Sequence, residues 1–277
     1  MKLKVIFIIF NALVALSFLF VFFMPAFFLG WEYARVFWTN NWYLAAIFVA
    51  ILIVLNSYFF SNRRLFSALE EEDWDAVISV MEDRIYRKHR YSTGNVRLLV
   101  NAYVVTSRSE KVQQLEDHLR DARYGVVRKN ALIFGIPHLL SNDGAEMARY
   151  YGEFLDTGRG EDRQWIRWNY AFAQMLQKNL DEARSVLEQL CTQSKPGVIA
   201  AVSAYLLSAY GGDSPEALQI SAQTRSAIRN AMSRNEWNKT VEKARGDLHV
   251  LVLSKLLQDV EEWLYTDQPD QSATAAE

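Results

Sequence analysis

Asn169-Tyr170-Ala171-Phe172-Ala173, continuing through Gln177-Lys178-Asn179 into Leu180-Asp181-Glu182-Ala183, reads as one helix, a tight turn and the start of a second. The same opening recurs upstream. Trp74-Asp75-Ala76-Val77-Ile78-Ser79-Val80-Met81-Glu82 and Leu180-Asp181-Glu182-Ala183-Arg184-Ser185-Val186-Leu187-Glu188 share one pattern: an aromatic or Leu, an acid, a small or β-branched residue, then an apolar pair. Similar openings fall at Val112, Ala148 and Ala217. The positions Val77, Val112, Ala148, Ala183 and Ala217 follow one another at a nearly even interval of about 35 residues, the period of a repeated helix-turn-helix unit. From Leu65 onward the apolar spacing is helical, no run alternates as a strand would, and Gly and Pro fall mostly between helical stretches.

This pattern resembles the tetratricopeptide repeat family, whose unit is about 34 residues long. The resemblance is closest in the fourth unit, where Ala171 and Ala183 stand at the family's close-packing positions and Pro196 follows the second helix. The fifth, with Gly211-Gly212-Asp213-Ser214-Pro215-Glu216-Ala217, matches around its turn. The first three are degenerate and rest on spacing. The resemblance covers about residues 65–230 and implies an α-solenoid of about five helix pairs, each burying an apolar face against its neighbours. Residues 235–264 are expected to cap the stack through Val241, Leu248, Leu251, Val252 and Leu256, with Gly246 breaking the cap in two. The residues after Tyr265 have little apolar bulk and read as a disordered tail over 267–277.

The amino-terminal part has a different composition. From Val5 to Met24 every residue except Asn11 and Ser17 is apolar, and from Trp42 to Phe60 every residue except Asn56 and Ser57 is. Each run reaches the roughly 20 residues that a helix needs to cross a bilayer. The first run continues past Pro25 to Leu29 without a small-residue cleavage site, which favours a retained anchor over a cleaved signal peptide. The expected organisation is therefore all-α: a transmembrane hairpin over 1–62, with helices at about 5–29 and 42–60, then a repeat domain over 63–266. Lys2, Lys4, Arg63 and Arg64 flank the hairpin, against Arg35 in its loop, so both termini are expected on the cytoplasmic side of the inner membrane. Trp31, Tyr33, Trp38, Trp42 and Tyr43 read as an interfacial belt. Asn56 and Ser57 read as residues near the headgroups. No Gly or Pro occurs from Trp42 to Thr93, so the second span is expected to run almost unbroken into the first repeat.

From Ser61 onward Asp and Glu outnumber Lys and Arg, which argues against nucleic acid as a partner. His89, His118, His138 and His249 are scattered and Cys191 is the sole cysteine, so neither a metal site nor a catalytic residue is expected, and no cofactor. Arg84, Arg87, Lys88 and Arg90, with Arg120, Arg123, Arg128 and Lys129, form two basic clusters. These are expected to share one edge of the superhelix, as a solvated edge, a contact for anionic lipid headgroups, or a dock for an acidic protein. Family positions place Trp165, Trp168, Asn169, Phe172 and Met175, with Arg97 and Asn101 from the second unit, on a concave groove. Arg97 and Asn101 stand where some family members grip a terminal carboxylate, but Phe134 and Trp165 replace the remainder of that clamp. The aromatic stripe has two readings, an anchor for an apolar or helical partner, or core.

The expected function is a membrane-anchored, non-enzymatic adaptor for protein partners. The layout also resembles the amino-terminal part of bacterial proteins associated with haem biosynthesis, and membrane-anchored repeat scaffolds of motility and secretion machines. The alternatives are a ligand-sensing or enzyme-associated protein using the groove, and a structural subunit of a larger complex.

Overall fold

The computed structural model describes residues 3–211 and 214–266, and no strand occurs among them. The tail expected at 267–277, and Gly212 and Asp213 of the fifth turn, lie outside the described residues. Two compact units divide the chain, Met1–His89 and Arg90–Glu277.

The first unit contains α1 (Leu3–Leu29), α2 (Trp31–Asn40), α3 (Trp42–Glu70) and α4 (Trp74–Glu82), the last ending in a π-helical turn over Asp83–Arg87. Phe7–Leu29 and Trp42–Glu70 are long and apolar enough to cross a membrane. Their register is antiparallel, for Phe7 stacks on Phe59 with ring centroids 3.6 Å apart, and Phe18 stacks on Phe48 at 4.1 Å. Between these stacks Asn56 Nδ2 donates to Asn11 Oδ1 at 2.8 Å. Asn56 is therefore an interhelical polar contact. The expected loop after Leu29 is helical. Gly30, at φ 87°, reverses the chain, and α2 then lays Ala34 and Trp38 against α1, where Trp38 Nε1 donates to the Phe22 carbonyl at 3.0 Å. The division expected at residue 62 falls inside α3, which runs unbroken because nothing in its sequence interrupts helical hydrogen bonding.

The second unit contains α5 (Thr93–Val105), α6 (Ser109–Lys129), α7 (Ala131–Phe134), α8 (Ile136–Ser141), α9 (Gly144–Glu153), α10 (Glu161–Leu176), α11 (Leu180–Gln193), α12 (Val198–Tyr210), α13 (Pro215–Ala231), α14 (Arg234–Ala244), α15 (Leu248–Val252) and α16 (Ser254–Tyr265). From α5 to α13 each helix packs on the next. In addition α10 touches α12, α11 touches α13, and α16 lies on α12 and α13. Gly135 separates α7 from α8 where the Tyr151 ring leaves no space for a Cβ.

The turns repeat. Glu72, Ser107, Asn142 and Lys178 each adopt positive φ just after a helix, at 54°, 58°, 56° and 64°. In three of them one further bond spans the turn: Asp73 N to Ala68 O at 2.9 Å, Arg108 N to Tyr103 O at 2.7 Å, and Asn179 N to Gln174 O at 2.9 Å. This left-handed closure satisfies carbonyls that a helix end leaves unpaired. The next helix is then capped by a side chain in several cases, as by Asp73, Asp143 and Ser214.

Val77, Val112, Ala183 and Ala217 are fully or almost fully buried, each one turn into its helix. The third position needs a correction. Ala148 is half-buried and Met147 is fully buried, because Asp143 caps α9 one residue earlier than the even spacing implies. The carboxy-terminal face is also shifted. Val250, Leu253, Leu257, Val260 and Leu264 are buried beside Val241, while Leu251 is exposed and Leu248, Val252 and Leu256 are half-buried or more open. The break at Gly246 falls as expected, between α14 and α15.

Candidate functional site

Within the stripe on α10, Trp165 and Asn169 lie under the chain's own carboxy-terminal segment. Trp168 and Asn169 are fully buried and Trp165 almost so, while Phe172 is half-buried and stacks on Trp168 at 5.5 Å. His249 of α15 is the lid. Its ring meets Trp165 edge-on at 4.7 Å, and its Nε2 lies 2.9 Å from Asn169 Nδ2. Trp165 and Trp168 are therefore core and not an open anchor. Apolar rings of this size are worth more under α15 than in water.

A cleft of about 60 Å³ remains beside the lid, lined by Arg97 and Asn101 of α5, Ile133 of α7, Asp162 and Trp165 of α10, and Gly246–Val250. Arg97 and Asn101, one turn apart on α5, both reach this cleft. Arg97 is engaged with Asp162 at 3.2 Å. Arg97 Nε, Trp168 Nε1 and His249 Nδ1 are buried and have no hydrogen-bond partner among the described residues. Burial pushes the His249 imidazole down to about 3, so it is neutral at physiological pH. Nε2 lies within reach of both ends of the Asn169 amide, 2.9 Å from Nδ2 and 3.3 Å from Oδ1, so this is the engaged nitrogen of the ring. A neutral imidazole with one nitrogen engaged and the other enclosed is poorly placed to exchange protons with a substrate.

Several cations of the basic clusters are already paired. Arg84, Arg87 and Lys88 lie in the first compact unit, and the other five residues in the second. Arg84 donates to Asn62 Oδ1 at 2.8 Å, and Arg87 and Lys88 both pair with Asp83. Arg120 is a correction. It binds Glu116 at 2.7 Å and both carboxylate oxygens of Glu153, and Tyr124 donates to Glu153 at 2.8 Å. Arg123 sits at a break inside α6, with φ −163° and ψ 67°. Arg90, Arg128 and Lys129 are exposed.

Sequence reasoning passed over Glu116 and the lid role of His249. Glu116 shares a face of α6 with Val112, Leu115 and Leu119, and burial pushes its carboxyl up to about 7 against the opposing pull of Arg120. That helical register was a usable signal. Among the described residues no group of three His, Cys, Asp or Glu could hold a metal ion. His138 stacks on Tyr150 at 4.6 Å, and burial pushes the Cys191 thiol up to about 12.

Residues 111–266 match a family described as "Uncharacterised Treponema protein". An uncharacterised protein of Treponema pallidum (strain Nichols) is 26% identical over 284 residues, covering 96% of this chain and 88% of that protein. No solved structure matches.

Proposed function

The chain belongs to the family of uncharacterised Treponema proteins, and from that premise we propose that it is a membrane-anchored docking protein without catalysis of its own. In this reading α1 and α3 cross the inner membrane, both termini are cytoplasmic, and the following helix pairs form a tetratricopeptide-like solenoid that collects protein partners. One observation carries the docking role. Val105, Leu140, Leu176 and Tyr210 stand in the last turns of α5, α8, α10 and α12 and are 50%, 50%, 37% and 58% exposed. They follow one another at the same interval as the helix pairs, about 35 residues. Single exposed apolar residues are ordinary, but one recurring at the same place in four successive pairs marks a surface to be covered. Leu180 and Leu218, exposed at the starts of α11 and α13, add to it.

Docking is thus assigned to the turn edge, and the concave side is left to α15. The ligand-sensing alternative has little space to work in, since the cleft beside His249 has room for only a few waters. The test replaces Leu140, Leu176 and Tyr210 together by Glu in the full chain and cross-links intact membranes. Unchanged melting with loss of the proteins recovered by the parent chain is the expected result. Full recovery with the triple variant rejects the edge. For orientation, a reporter active only outside the cytoplasm, fused after Glu277, is expected to stay silent.

A further inference from the structure

We propose that the cleft between the end of α1 and the amphipathic α2 is a binding site for a phosphate-headed membrane lipid. The cleft measures about 480 Å³ and is lined by Phe22, Phe23 and Ala26 of α1 and by Trp31, Arg35 and Thr39 of α2, among others. That volume lies within the range of about 300–1,000 Å³ typical of small-molecule sites. Its walls are fixed in place. Trp38 stacks on Phe22 with centroids 4.5 Å apart and donates to the Phe22 carbonyl at 3.0 Å, which seats α2 on α1.

The lining is divided in the way a phospholipid is. Phe22, Phe23 and Ala26 belong to a helix apolar enough to cross a membrane, so their end of the cleft faces acyl chains. Arg35 and Thr39 lie one turn apart on the connecting helix, where the hydrocarbon gives way to headgroups. Arg35 is the only Lys or Arg between Lys4 and Arg63. Thr39 Oγ1 donates its proton to the Arg35 carbonyl at 2.8 Å, so the guanidinium is the group left to meet a phosphate. An arginine fork suits a phosphodiester better than a point charge would. Trp31, largely exposed beside the cleft, offers a flat wall for the glycerol region. The inference is independent of the docking role. It rests only on α1 and α3 lying in a membrane.

The test uses the full chain, purified in dodecylmaltoside and stripped of lipid, and titrated with dioleoylphosphatidylglycerol or with dioleoylglycerol, which has the same chains and no phosphate. Mass spectrometry of the intact complex counts bound lipid. The expected result is saturation at one phosphatidylglycerol per chain, with dioleoylglycerol and the Arg35→Gln variant each binding about tenfold more weakly. Ala26→Trp fills the cleft without touching the charge and is expected to abolish the bound lipid, which keeps the test decisive if Arg35→Gln alters folding. Equal binding of the two lipids would leave only a greasy crevice and overturn the proposal. So would unchanged binding in Arg35→Gln or Ala26→Trp, or no saturable binding at all.

Discussion

Helices α3 and α12 are both strongly apolar, yet they use their apolar surface in opposite ways. In α3, Ile47, Val49, Ile51, Ile53 and Val54 are exposed, with no cover from the described residues. In α12, Val198 through Ala204 are buried without a gap, along with Leu206 and Leu207, among α10, α11, α13 and α16. The polar groups there are satisfied locally: Ser203 bonds back to the Ile199 carbonyl at 2.8 Å, and Ser221 reaches the Ala204 carbonyl at 2.7 Å. Composition does not separate the two helices, but length does. With 13 residues, α12 extends about 20 Å, short of a hydrocarbon core of about 30 Å, whereas the 29 residues of α3 exceed it. A short apolar helix can lower its free energy only by packing on other helices, and a long one can do so in lipid.

The contrast predicts where substitutions act. The largest effect is expected at Trp168, the fully buried ring packed against Trp165 and Phe172. Trp168→Ala should destabilise the helix pairs by about 3–5 kcal/mol, read as a fall in melting temperature in micelles. A melting temperature close to that of the parent would return Trp168 to an open groove. Next, Leu207→Ala in α12 should cost about 2–5 kcal/mol. Val54→Ala in α3, a similar deletion on an uncovered face, should change the same melting curve by less than about 0.5 kcal/mol. Equal losses at the two positions would mean that α3 is covered by protein.

These helices also show what could be read from sequence. Long apolar runs and the even helix-pair period announce themselves, because both are sums over many residues and tolerate local noise. The turn at Gln177-Lys178-Asn179 could be read as well, but the left-handed closures at Glu72, Ser107 and Asn142 could not, since none holds the glycine that usually marks such a bend. Met147 was missed for a related reason, a cap displaced by one residue. The lid was hidden more deeply. His249 is placed over Trp165 and Asn169 by a contact between residues 80 positions apart, and nothing local at Gly246-Asp247-Leu248-His249 specifies which surface it will meet. The family positions offered Trp165 as part of an open groove, and they could not show that His249 would cover it.

Buried titratable groups sharpen the comparison, because α6 and α15 carry them with opposite signs. Glu116, pushed up to about 7 from 4.5, keeps its proton in the folded state after the unfolded chain has lost it. Its contribution is present at low pH and fades as pH rises through 7. His249, pushed down to about 3 from 6.5, does the reverse: the unfolded chain takes up a proton first, so stability fades as pH falls below 6.5. Between about pH 4.5 and 6.5 the two oppose each other. Glu116→Gln should therefore gain stability relative to the parent as pH rises across that interval, by on the order of 1 kcal/mol in paired urea titrations. Parallel profiles for the two proteins would show that Glu116 is ionised throughout.

A small effect is also expected within the hairpin, at the asparagine contact between α1 and α3. Asn56 Nδ2 serves two acceptors, Asn11 Oδ1 at 2.8 Å and the Leu52 carbonyl at 2.9 Å, and Asn11 Nδ2 bonds the Phe7 carbonyl at 2.9 Å. Each amide thus keeps a bond within its own helix when the other is removed, which holds down the cost of losing the bridge. Interhelical hydrogen bonds in membranes average about 0.6 kcal/mol for the same reason, since separated helices also find partners. Asn11→Val, Asn56→Val and the double variant should give a coupling energy near that value, with Phe7–Phe59 and Phe18–Phe48 holding the register. The measurement is an SDS titration in micelles, followed by energy transfer between dyes on cysteines introduced at Phe10 and Phe60. Cys191, buried and with its thiol pushed up to about 12, should stay unlabelled at neutral pH. A coupling above about 2 kcal/mol would exceed the range seen for such bonds. It would make the asparagine pair, and not the aromatic stacks, the feature that holds α1 to α3.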